Sequence, residues 1–514
     1  MTLFLSLLSA LLMFLSLPKV SLDCLSWFCL VPLFFSISYS KKLSEVFRNC
    51  FLGGIFFFVT TYAWLHHVTW IGYLSAVVYQ SFFWIFFGAI AWPFFQKIAQ
   101  KNSWMSYLAC VLVIPILWTG AEVFRSIIPV MGMPWALLAH SQNEHLAILQ
   151  SVSLIGEQGL TLVMAVVNGL IWVIFRQFLH TNMSIVNRSF RILFNVVMII
   201  GIIYALQAWG QKRLEEQVQE PNGTIGVIQG NVPQDVKWDM AFRTWIIDQY
   251  TAYSRRVHKE GVDLIIWPEA AFPDYFERSY ESSGLRDTIA ELKTPFLIGT
   301  PFLSNGTDIS NSALLVNADA SLGTRYDKIH LVPFGEYVPL GALLFFVRPV
   351  AIQLGVGDFK PGHEHTVFSL EGSPLNPFST LICFEDMFSA TARKFIENGA
   401  DWLLVITNDA WFKRSSGPYQ HRTGSVLRAI ENGVWVARCA NTGLSCLIDP
   451  YGRITDSIHD EQGEELFVSG SRVWSIGNKP IHTYFASGGW RVGYLCFWLT
   501  LLVGGLMWFR RLTR

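Results

Sequence analysis

Charged residues are scarce in this chain, since only 15% of its 514 residues are Asp, Glu, Lys or Arg, against about 25% in a typical soluble domain. Their formal charges cancel to zero, so there is no excess of basic residues that would indicate a nucleic-acid partner. The apolar share is correspondingly high, at 52%. Long apolar runs fill 1–210 and 490–510, whereas 211–489 carries the dispersed charges of an ordinary globular domain.

Metal-binding patterns are also missing. Five of the eight cysteines fall in or beside apolar runs, where a cysteine is usually a small hydrophobe. The other three, Cys383, Cys439 and Cys446, form no CxxC pair and no Cys/His spacing typical of zinc. We therefore expect neither a metal nor a cofactor. A disulfide between Cys439 and Cys446 across a hairpin stays open as an alternative.

Eight apolar segments are candidates for membrane spans, each of which needs about 20 residues as a helix. The first lacks a basic start and a small-residue cleavage site before Pro18, so we expect a retained anchor and not a signal peptide. The pattern predicts an α-helical transmembrane bundle of seven spans in 1–210, a polar domain in 211–489, and an eighth span with a basic tail in 490–514. The segments are 2–17, 23–39, 50–66, 71–95, 105–121, 159–179, 190–208 and 492–509.

Basic residues are unevenly distributed among the loops between these segments. Alternate loops hold only Lys19 and Arg125, whereas the remaining loops and the tail hold eleven basic residues. Because short basic loops stay in the cytoplasm, both termini are predicted to be cytoplasmic and 211–489 to lie across the membrane, in a bacterium the periplasm. The eleven are Lys41, Lys42, Arg48, Lys97, Lys101, Arg176, Arg188, Arg191, Arg510, Arg511 and Arg514.

From residue 224 onward, buried strand patterns alternate with helical ones, which predicts an α/β domain of two stacked sheets flanked by helices, an α-β-β-α sandwich. Pro450-Tyr451-Gly452 predicts a hairpin turn. The predicted strands are Thr224–Gln229, Asp263–Trp267, Pro295–Thr300, Ala313–Asn317, Ser379–Cys383, Trp402–Thr407 and Trp435–Ala440, and the predicted helices are 239–259, 282–292, 387–398 and 420–432.

Reactive side chains lie at the ends of these elements. Cys383 ends a strand where a helix begins, and a helix N-terminus favours the thiolate. Glu269 follows a strand and a proline, where a carboxylate can serve as a general base. Lys328 precedes the apolar tract 331–339, which suggests an ordered loop. Each also has an ordinary interpretation: a buried strand-end thiol, a surface or capping carboxylate, and a solvated lysine.

In combination, these fragments resemble the nitrilase, or carbon–nitrogen hydrolase, superfamily over about 224–475. The resemblance rests on WPE at Glu269, on the run DKIHLVPFGE that holds Lys328 and Glu336, and on ICFED at Cys383. It implies a Glu269–Lys328–Cys383 catalytic triad, with Glu336 as a supporting glutamate or, alternatively, a surface residue of a turn. Glu385 either orients the site or caps the following helix.

The apolar spans narrow the resemblance to the apolipoprotein N-acyltransferase family. Further matching stretches are GMPW at 132–135, QGNVPQ at 229–234 together with Lys237-Trp238, and NDAWF at 408–412. The family implies transfer of an acyl chain from a membrane phospholipid, through a thioester on Cys383, to the α-amine of the diacylglyceryl-cysteine of an apolipoprotein. Lys328 and the Phe384 N–H would stabilise the oxyanion, although the family often has Tyr at Phe384.

Two tryptophans are candidates for contact with the substrate. Trp238 and Trp411 belong to stretches that match the family, and core packing is the alternative for Trp238.

The apolar segment 341–357 is either buried core or an arm that contacts the bilayer, and we favour the arm.

Two other functions are compatible with parts of the sequence. A membrane-tethered amidase that hydrolyses a small amide would use the same three residues, but it needs no eight-span bundle. A lipid transporter with a degenerate domain has no need for an intact triad, so that alternative is disfavoured.

The predicted orientation can be tested by labelling. A cysteine introduced at Asn305 in the polar domain should react with a membrane-impermeant thiol reagent on intact cells, because the charge bias places that domain outside the cytoplasm. A cysteine introduced at Lys41 is the matched control and should react only after lysis. The reverse pattern would contradict the orientation.

Overall fold

The computed structural model of the protein describes residues 1–97, 103–128, 131–179, 184–218, 220–338, 357–375 and 377–512. Apart from Gly357, the segment 341–357 lies outside the described residues. The chain forms two compact units. One consists of Met1–His66, Trp70–Glu216 and Ser487–Arg514, and the other of His67–Thr69 and Gln217–Ala486.

The α-helices, in chain order, are α1 (Thr2–Ser16), α2 (Val31–Tyr39), α3 (Leu43–Thr61), α4 (Trp70–Lys97), α5 (Trp104–Ile127), α6 (Leu146–Leu149), α7 (Val152–Leu179), α8 (Ile185–Leu214), α9 (Arg243–His258), α10 (Glu281–Leu292), α11 (Ser389–Glu397), α12 (Gly417–Asn432) and α13 (Arg491–Leu512). The strands are β1 (Gly223–Gln229), β2 (Leu264–Ile266), β3 (Phe296–Ser304), β4 (Asp308–Val316), β5 (Leu322–Asp327), β6 (Phe378–Ile382), β7 (Trp402–Thr407), β8 (Val436–Ala440), β9 (Cys446–Ile448), β10 (Ile454–Ser457) and β11 (Gly470–Ile476).

Apolar helices make up the first unit, α1–α8 and α13. Among the described residues, six helical segments are long and apolar enough to cross a membrane: α3, α4, α5, α7, α8 and Phe485–Phe509, which includes most of α13. The apolar helices at Thr2–Ser16 and Asp23–Tyr39 are shorter. The 15 residues of α1 span about 23 Å at about 1.5 Å each, less than the roughly 30 Å of a hydrocarbon core. The predicted helical bundle is confirmed, and six of the eight predicted spans correspond to helices of this length among the described residues.

Two buried charges of the helical unit, Glu122 and Arg125, have polar partners, as an apolar surrounding requires. Glu122 of α5 accepts a hydrogen bond from the Leu138 N–H at 3.1 Å and another from the Thr161 hydroxyl at 3.1 Å. Arg125, one turn further along α5, donates to the carbonyl oxygen of Trp135 at 2.8 Å. These two side chains therefore anchor the segment that carries the GMPW stretch.

Two β-sheets form the centre of the second unit. The first has the strand order β11-β1-β2-β3-β4-β5 and the second has the order β10-β9-β8-β7-β6. Strands β1, β2 and β3 pair in parallel, as do β6, β7 and β8, whereas the outer strands pair antiparallel. The parallel arrangement brings the carboxyl ends of several strands to one edge of each sheet.

Helices cover the outer faces of the two sheets. Ile246 and Tyr250 of α9 and Ile289 of α10 pack in one core cluster with Ile265 and Phe296 of the first sheet. Helix α11 packs on β6, and α12 packs on β8 and β9. The inner faces meet where β1 lies against β8 and β4 against β6. The predicted α-β-β-α sandwich is therefore confirmed.

The sequence pattern missed β9, a buried strand of only three residues, and three strands at the sheet edges. β5, β10 and β11 are edge strands with many half-buried or exposed residues, so they lack the continuous apolar run that marks β6 or β7. The predicted turn at Pro450-Tyr451-Gly452 does connect β9 to β10.

The alternative of a Cys439–Cys446 disulfide is wrong. All eight cysteines, which lie in described ranges, are free. In the pairing of β8 with β9, Cys446 lies opposite Arg438 and not opposite Cys439. Because neighbouring residues of a strand point to opposite faces, the two thiols lie on different sides of the sheet. The Cys439 thiol donates instead to the Ile228 carbonyl oxygen at 3.4 Å.

Candidate active site

Cys383 occupies a sharp turn between a strand and a helix. β6 ends at Ile382, and a 3₁₀ helix of five residues, Cys383–Met387, begins immediately. Cys383 has a φ of 56°, in the left-handed region that a residue with a Cβ rarely adopts. Such strain is kept only where surrounding contacts fix the backbone. The thiol side chain is nearly buried, at 9% exposure.

Glu269 follows β2 and is held by donors from both sheets. Its Oε1 accepts from the Asn311 side chain of β4 at 2.8 Å, and its Oε2 accepts from the Asn408 N–H, after β7, at 2.8 Å. A Cβ on Gly299 of β3 would lie 2.2 Å from the Pro268 carbonyl oxygen, so only glycine lets the loop before Glu269 approach this closely. The carboxylate is thus fixed in position.

Lys328 bridges two glutamates at the end of β5. Its Nζ lies 3.0 Å from Glu336 Oε1 and 3.5 Å from Glu269 Oε1. Asn311 Nδ2 connects the same two glutamates, because it donates a hydrogen bond to each carboxylate at 2.8 Å. Glu336 also accepts from the Val332 N–H at 2.7 Å, so it is anchored in the loop and is not a free surface residue.

The negative charges of the site favour the charged form of Lys328 and disfavour the charged form of Cys383. Burial disfavours the Lys328 ammonium, but Glu336 and Glu269 outweigh it and raise the pKa of Lys328 above its ordinary value. Burial and the negative charge of Glu269 raise the pKa of Cys383 well above that of a free thiol, although Lys328 opposes the shift. The expected thiolate is therefore not the resting form. A thiol that rests protonated needs a general base before it can act as a nucleophile.

Glu385 ties the Cys383 turn to the Lys328 loop. This fully buried carboxylate accepts from the Ile382 N–H at 2.8 Å and from the Ile329 N–H at 2.8 Å. It also accepts from the His330 N–H at 3.0 Å and the Tyr326 hydroxyl at 2.9 Å. Burial raises the pKa of Glu385 to about 7, against the effect of these donors. Both interpretations are compatible with these contacts, because the bond from the Ile382 N–H caps the 3₁₀ helix and the other bonds join residues on either side of the site.

A cluster of four buried charged side chains lies next to Glu385 and is called the four-charge cluster here. It consists of Asp386, Asp409, His421 and Arg438. Arg438 donates to Asp386 at 2.9 Å and to Asp409 at 3.0 Å. His421 bridges the same carboxylates, with Nε2 3.1 Å from Asp386 and Nδ1 2.9 Å from Asp409. All four are fully buried or nearly so.

The four-charge cluster links the two strand ends that carry site groups. Asp386 belongs to the 3₁₀ helix that begins at Cys383, and Asp409 follows Asn408, whose N–H binds Glu269. Burial and Arg438 oppose a charge on His421, but the two aspartates raise the pKa of His421 to about 9. At neutral pH two positive and two negative charges therefore compensate one another in the interior.

The remaining predicted residues are Phe384, Trp238 and Trp411. The Phe384 ring lies beside Lys328, with Nζ 5.5 Å from the ring centroid. Trp238 and Trp411 are exposed, at 50% and 42%, so Trp238 does not fill the core. Within the described ranges, no group of three or more His, Cys, Asp or Glu side chains could hold a metal ion.

Several residues of this site were not predicted from the sequence. Asn311, Asn408 and Lys237 contact Glu269 through a side chain, an N–H and a side chain, respectively. Lys237 and Asn408 lie in stretches that match the family, which could have marked them. Asn311 lies within β4, and no sequence motif marked it. Its contact with Glu269 depends on the sheet order, in which β3 lies between β4 and β2.

Two family models match the sequence of this chain, one in each of its two units. A sequence model of the carbon–nitrogen hydrolase family matches residues 224–469, and that of the apolipoprotein N-acyltransferase N-terminal domain matches residues 9–170. With the α-β-β-α sandwich, the first match defines the second unit as a carbon–nitrogen hydrolase domain. The apolar helices and the second match make the protein a membrane protein.

Full-length relatives give the family. The apolipoprotein N-acyltransferase of Geobacter metallireducens is 33% identical, with 87% of this chain and 85% of the relative covered. That of Nostoc sp. is 26% identical, with 92% and 95% covered. An amidase structure from Nesterenkonia sp. matches 53% of this chain and 94% of its own at 18% identity, with a TM-score of 0.38. The chain belongs to the apolipoprotein N-acyltransferase family, which confirms the resemblance.

The raised pKa of His421 predicts a pH-dependent stability. A charge favoured in the folded state stabilises fully below the ordinary value of 6.5, and that contribution is lost as the pH rises through about 9. Replacing His421 by Gln should therefore lower the melting temperature most at pH 6, and the gap to wild type should narrow by about 5 °C toward pH 9.

The measurement is thermal unfolding of the full chain in detergent at several pH values. The exposed His459→Gln is the matched control, and its melting curve should follow wild type throughout. A gap between His421→Gln and wild type that stays constant with pH would contradict a charged His421.

Proposed function

We propose that this chain is an N-acyltransferase that moves an acyl chain from a membrane phospholipid to the α-amine of the diacylglyceryl-cysteine of an apolipoprotein. The supporting observation is the arrangement of a buried carboxylate, Glu269, in contact with a buried ammonium, Lys328, beside the protonated thiol of Cys383. Neither a metal nor a cofactor enters the proposed reaction.

In the first half-reaction, Glu269 accepts the proton of the Cys383 thiol, and the sulfur attacks the ester carbonyl of the phospholipid. The negative charge on the carbonyl oxygen is stabilised by the Lys328 ammonium and the Phe384 N–H. Collapse of the intermediate breaks the ester C–O bond, and Glu269 returns its proton to the departing lysophospholipid oxygen. The acyl chain remains on Cys383 as a thioester.

In the second half-reaction, the free α-amine of the apolipoprotein attacks the thioester. Glu269 accepts the proton of the attacking amine, the same two donors stabilise the second oxyanion, and the C–S bond breaks to form an amide. Glu269 then returns a proton to the Cys383 sulfur. A fixed carboxylate suits both steps, because it must accept and return a proton without moving.

Glu336 and Glu385 have supporting roles in this proposal. The Glu336 carboxylate keeps Lys328 charged and aimed at the site, through the contact of 3.0 Å. The Glu385 carboxylate fixes the strained Cys383 turn relative to the Lys328 loop. The exposed rings of Trp238 and Trp411 are proposed to contact the acyl chains of the substrates.

We place the protein in the bacterial inner membrane, with the catalytic domain on the periplasmic side and both termini in the cytoplasm. The distribution of basic residues among the loops supports this orientation. Lipid substrates are available there at the membrane surface.

The proposal predicts an acyl-enzyme. Purified full chain incubated with phospholipid labelled in its acyl chain should carry the label on a denaturing gel, and neutral hydroxylamine should remove it, because hydroxylamine cleaves thioesters. Cys383→Ala should abolish the label. Cys439→Ala, which removes another buried thiol of the same domain, is the matched control and should retain it.

The acceptor separates acyl transfer from hydrolysis. Addition of a diacylglyceryl peptide with a free amine should move the label to the peptide. Loss of the label to water in the presence of the peptide would favour the amidase alternative. A folded wild-type preparation that takes up no label from phospholipid would exclude the acyltransferase.

The role of Glu269 predicts a second effect. Glu269→Gln keeps the size and the acceptor oxygen but cannot take up the thiol proton, so the rate of thioester formation should fall by about 100-fold or more. The exposed Glu291→Gln serves as the control and should react at the wild-type rate. Unchanged thioester formation in Glu269→Gln would assign the base to another group.

A further inference from the structure

Lys237 is a second buried lysine of the active site. It lies after β1 and is only 2% exposed. A buried ammonium normally pairs with a carboxylate, because its desolvation is costly. Among the described residues, however, its one hydrogen bond goes to the Glu269 carbonyl oxygen, at 3.0 Å. A carbonyl satisfies one of three N–H donors and carries only a partial charge.

The charged groups that face Lys237 are those of the reaction centre. Glu269 and Cys383 are the two groups whose negative charge favours the Lys237 ammonium. Burial nevertheless lowers the pKa of Lys237 to about 8. Lysines with a lowered pKa are found at functional sites more often than elsewhere, which makes Lys237 a candidate for such a role.

The charges around Cys383 show what Lys237 contributes. Cys383 faces Glu269, Lys328, Asp409 and Glu336. Asp409 is compensated within the four-charge cluster. Two glutamates then face the single charge of Lys328, and transfer of the thiol proton to Glu269 only moves the surplus negative charge to sulfur. The ammonium of Lys237 balances that charge before and after the transfer.

We propose that Lys237 is a second cation of the active site, which stabilises the Cys383 thiolate and, through its bond to the Glu269 carbonyl oxygen, positions the base. This role rests on the acyl transfer proposed above. The Cys383 proton still passes to Glu269 and the sulfur still forms the bond to the carbonyl carbon. Lys237 takes up no proton and forms no covalent bond, so its contribution is electrostatic.

Alkylation of Cys383 tests this role without any lipid substrate. The full chain in detergent would be treated with iodoacetamide from pH 6 to 10, and the rate would be read from the peptide that contains Cys383 by mass spectrometry. Lys237→Met keeps a stem of similar length without the charge. It should slow alkylation at neutral pH by about tenfold, which corresponds to a rise of about one unit in the thiol pKa.

Two variants and one reference rate complete the design. Lys237→Arg keeps the charge and should retain the wild-type rate at neutral pH, where Lys237 is still protonated. Lys259→Met makes the same replacement at an exposed lysine and should leave the profile unchanged. The reference rate is that at pH 10, where Lys237 has itself lost its charge, so Lys237→Met should there react as fast as wild type if access to Cys383 is unchanged.

The outcomes separate the hypotheses. A profile of Lys237→Met that coincides with wild type would overturn the proposal, as would a uniform loss of rate at every pH, which indicates a structural role. Failure of the acyl-transfer proposal itself has a different signature, since wild type would then take up no acyl label from phospholipid while its alkylation profile still depended on Lys237.

Discussion

The hydrogen bond from the Asn408 N–H to Glu269 joins the two sheets at the point where the reactive groups meet. Glu269 follows β2 in the six-stranded sheet, and Asn408 follows β7 in the five-stranded sheet. Glu385 makes a second such connection, from the end of β6 to the loop after β5. The geometry of the candidate site therefore depends on the packing of one sheet against the other, and a small shift between them would separate the proposed base, Glu269, from the proposed nucleophile, Cys383.

Charge compensation is the second constraint on this domain. Lys328, Lys237 and Glu269 are buried near the thiol, Glu336 is half-buried beside Lys328, and the four-charge cluster lies next to them. Buried ion pairs contribute little net stability, because desolvation offsets their attraction. Their benefit here is geometric, since each pair fixes a backbone segment that carries a reactive group, including the strained turn at Cys383.

Much of the fold was predictable because it follows from local patterns. The buried parallel strands and the apolar helices have continuous apolar runs, and the fold class was predicted correctly from them. Edge strands such as β5 and β11 were missed, since half-exposed strands lack that signal. Sequence motifs drew attention to Glu269, Lys328 and Cys383, but Asn311 was missed because nothing local distinguishes an asparagine in a strand.

The sequence by itself determined the helical and α/β parts, the family, and which side chains are candidates for the chemistry, because periodicity and motifs are properties of neighbouring residues. Only the tertiary structure decided the protonation state of Cys383. A local argument from the helix N-terminus favoured the thiolate, whereas burial and the Glu269 carboxylate raise the thiol pKa. Desolvation and charge act through space between residues more than 100 positions apart in the chain, so no local pattern contains them.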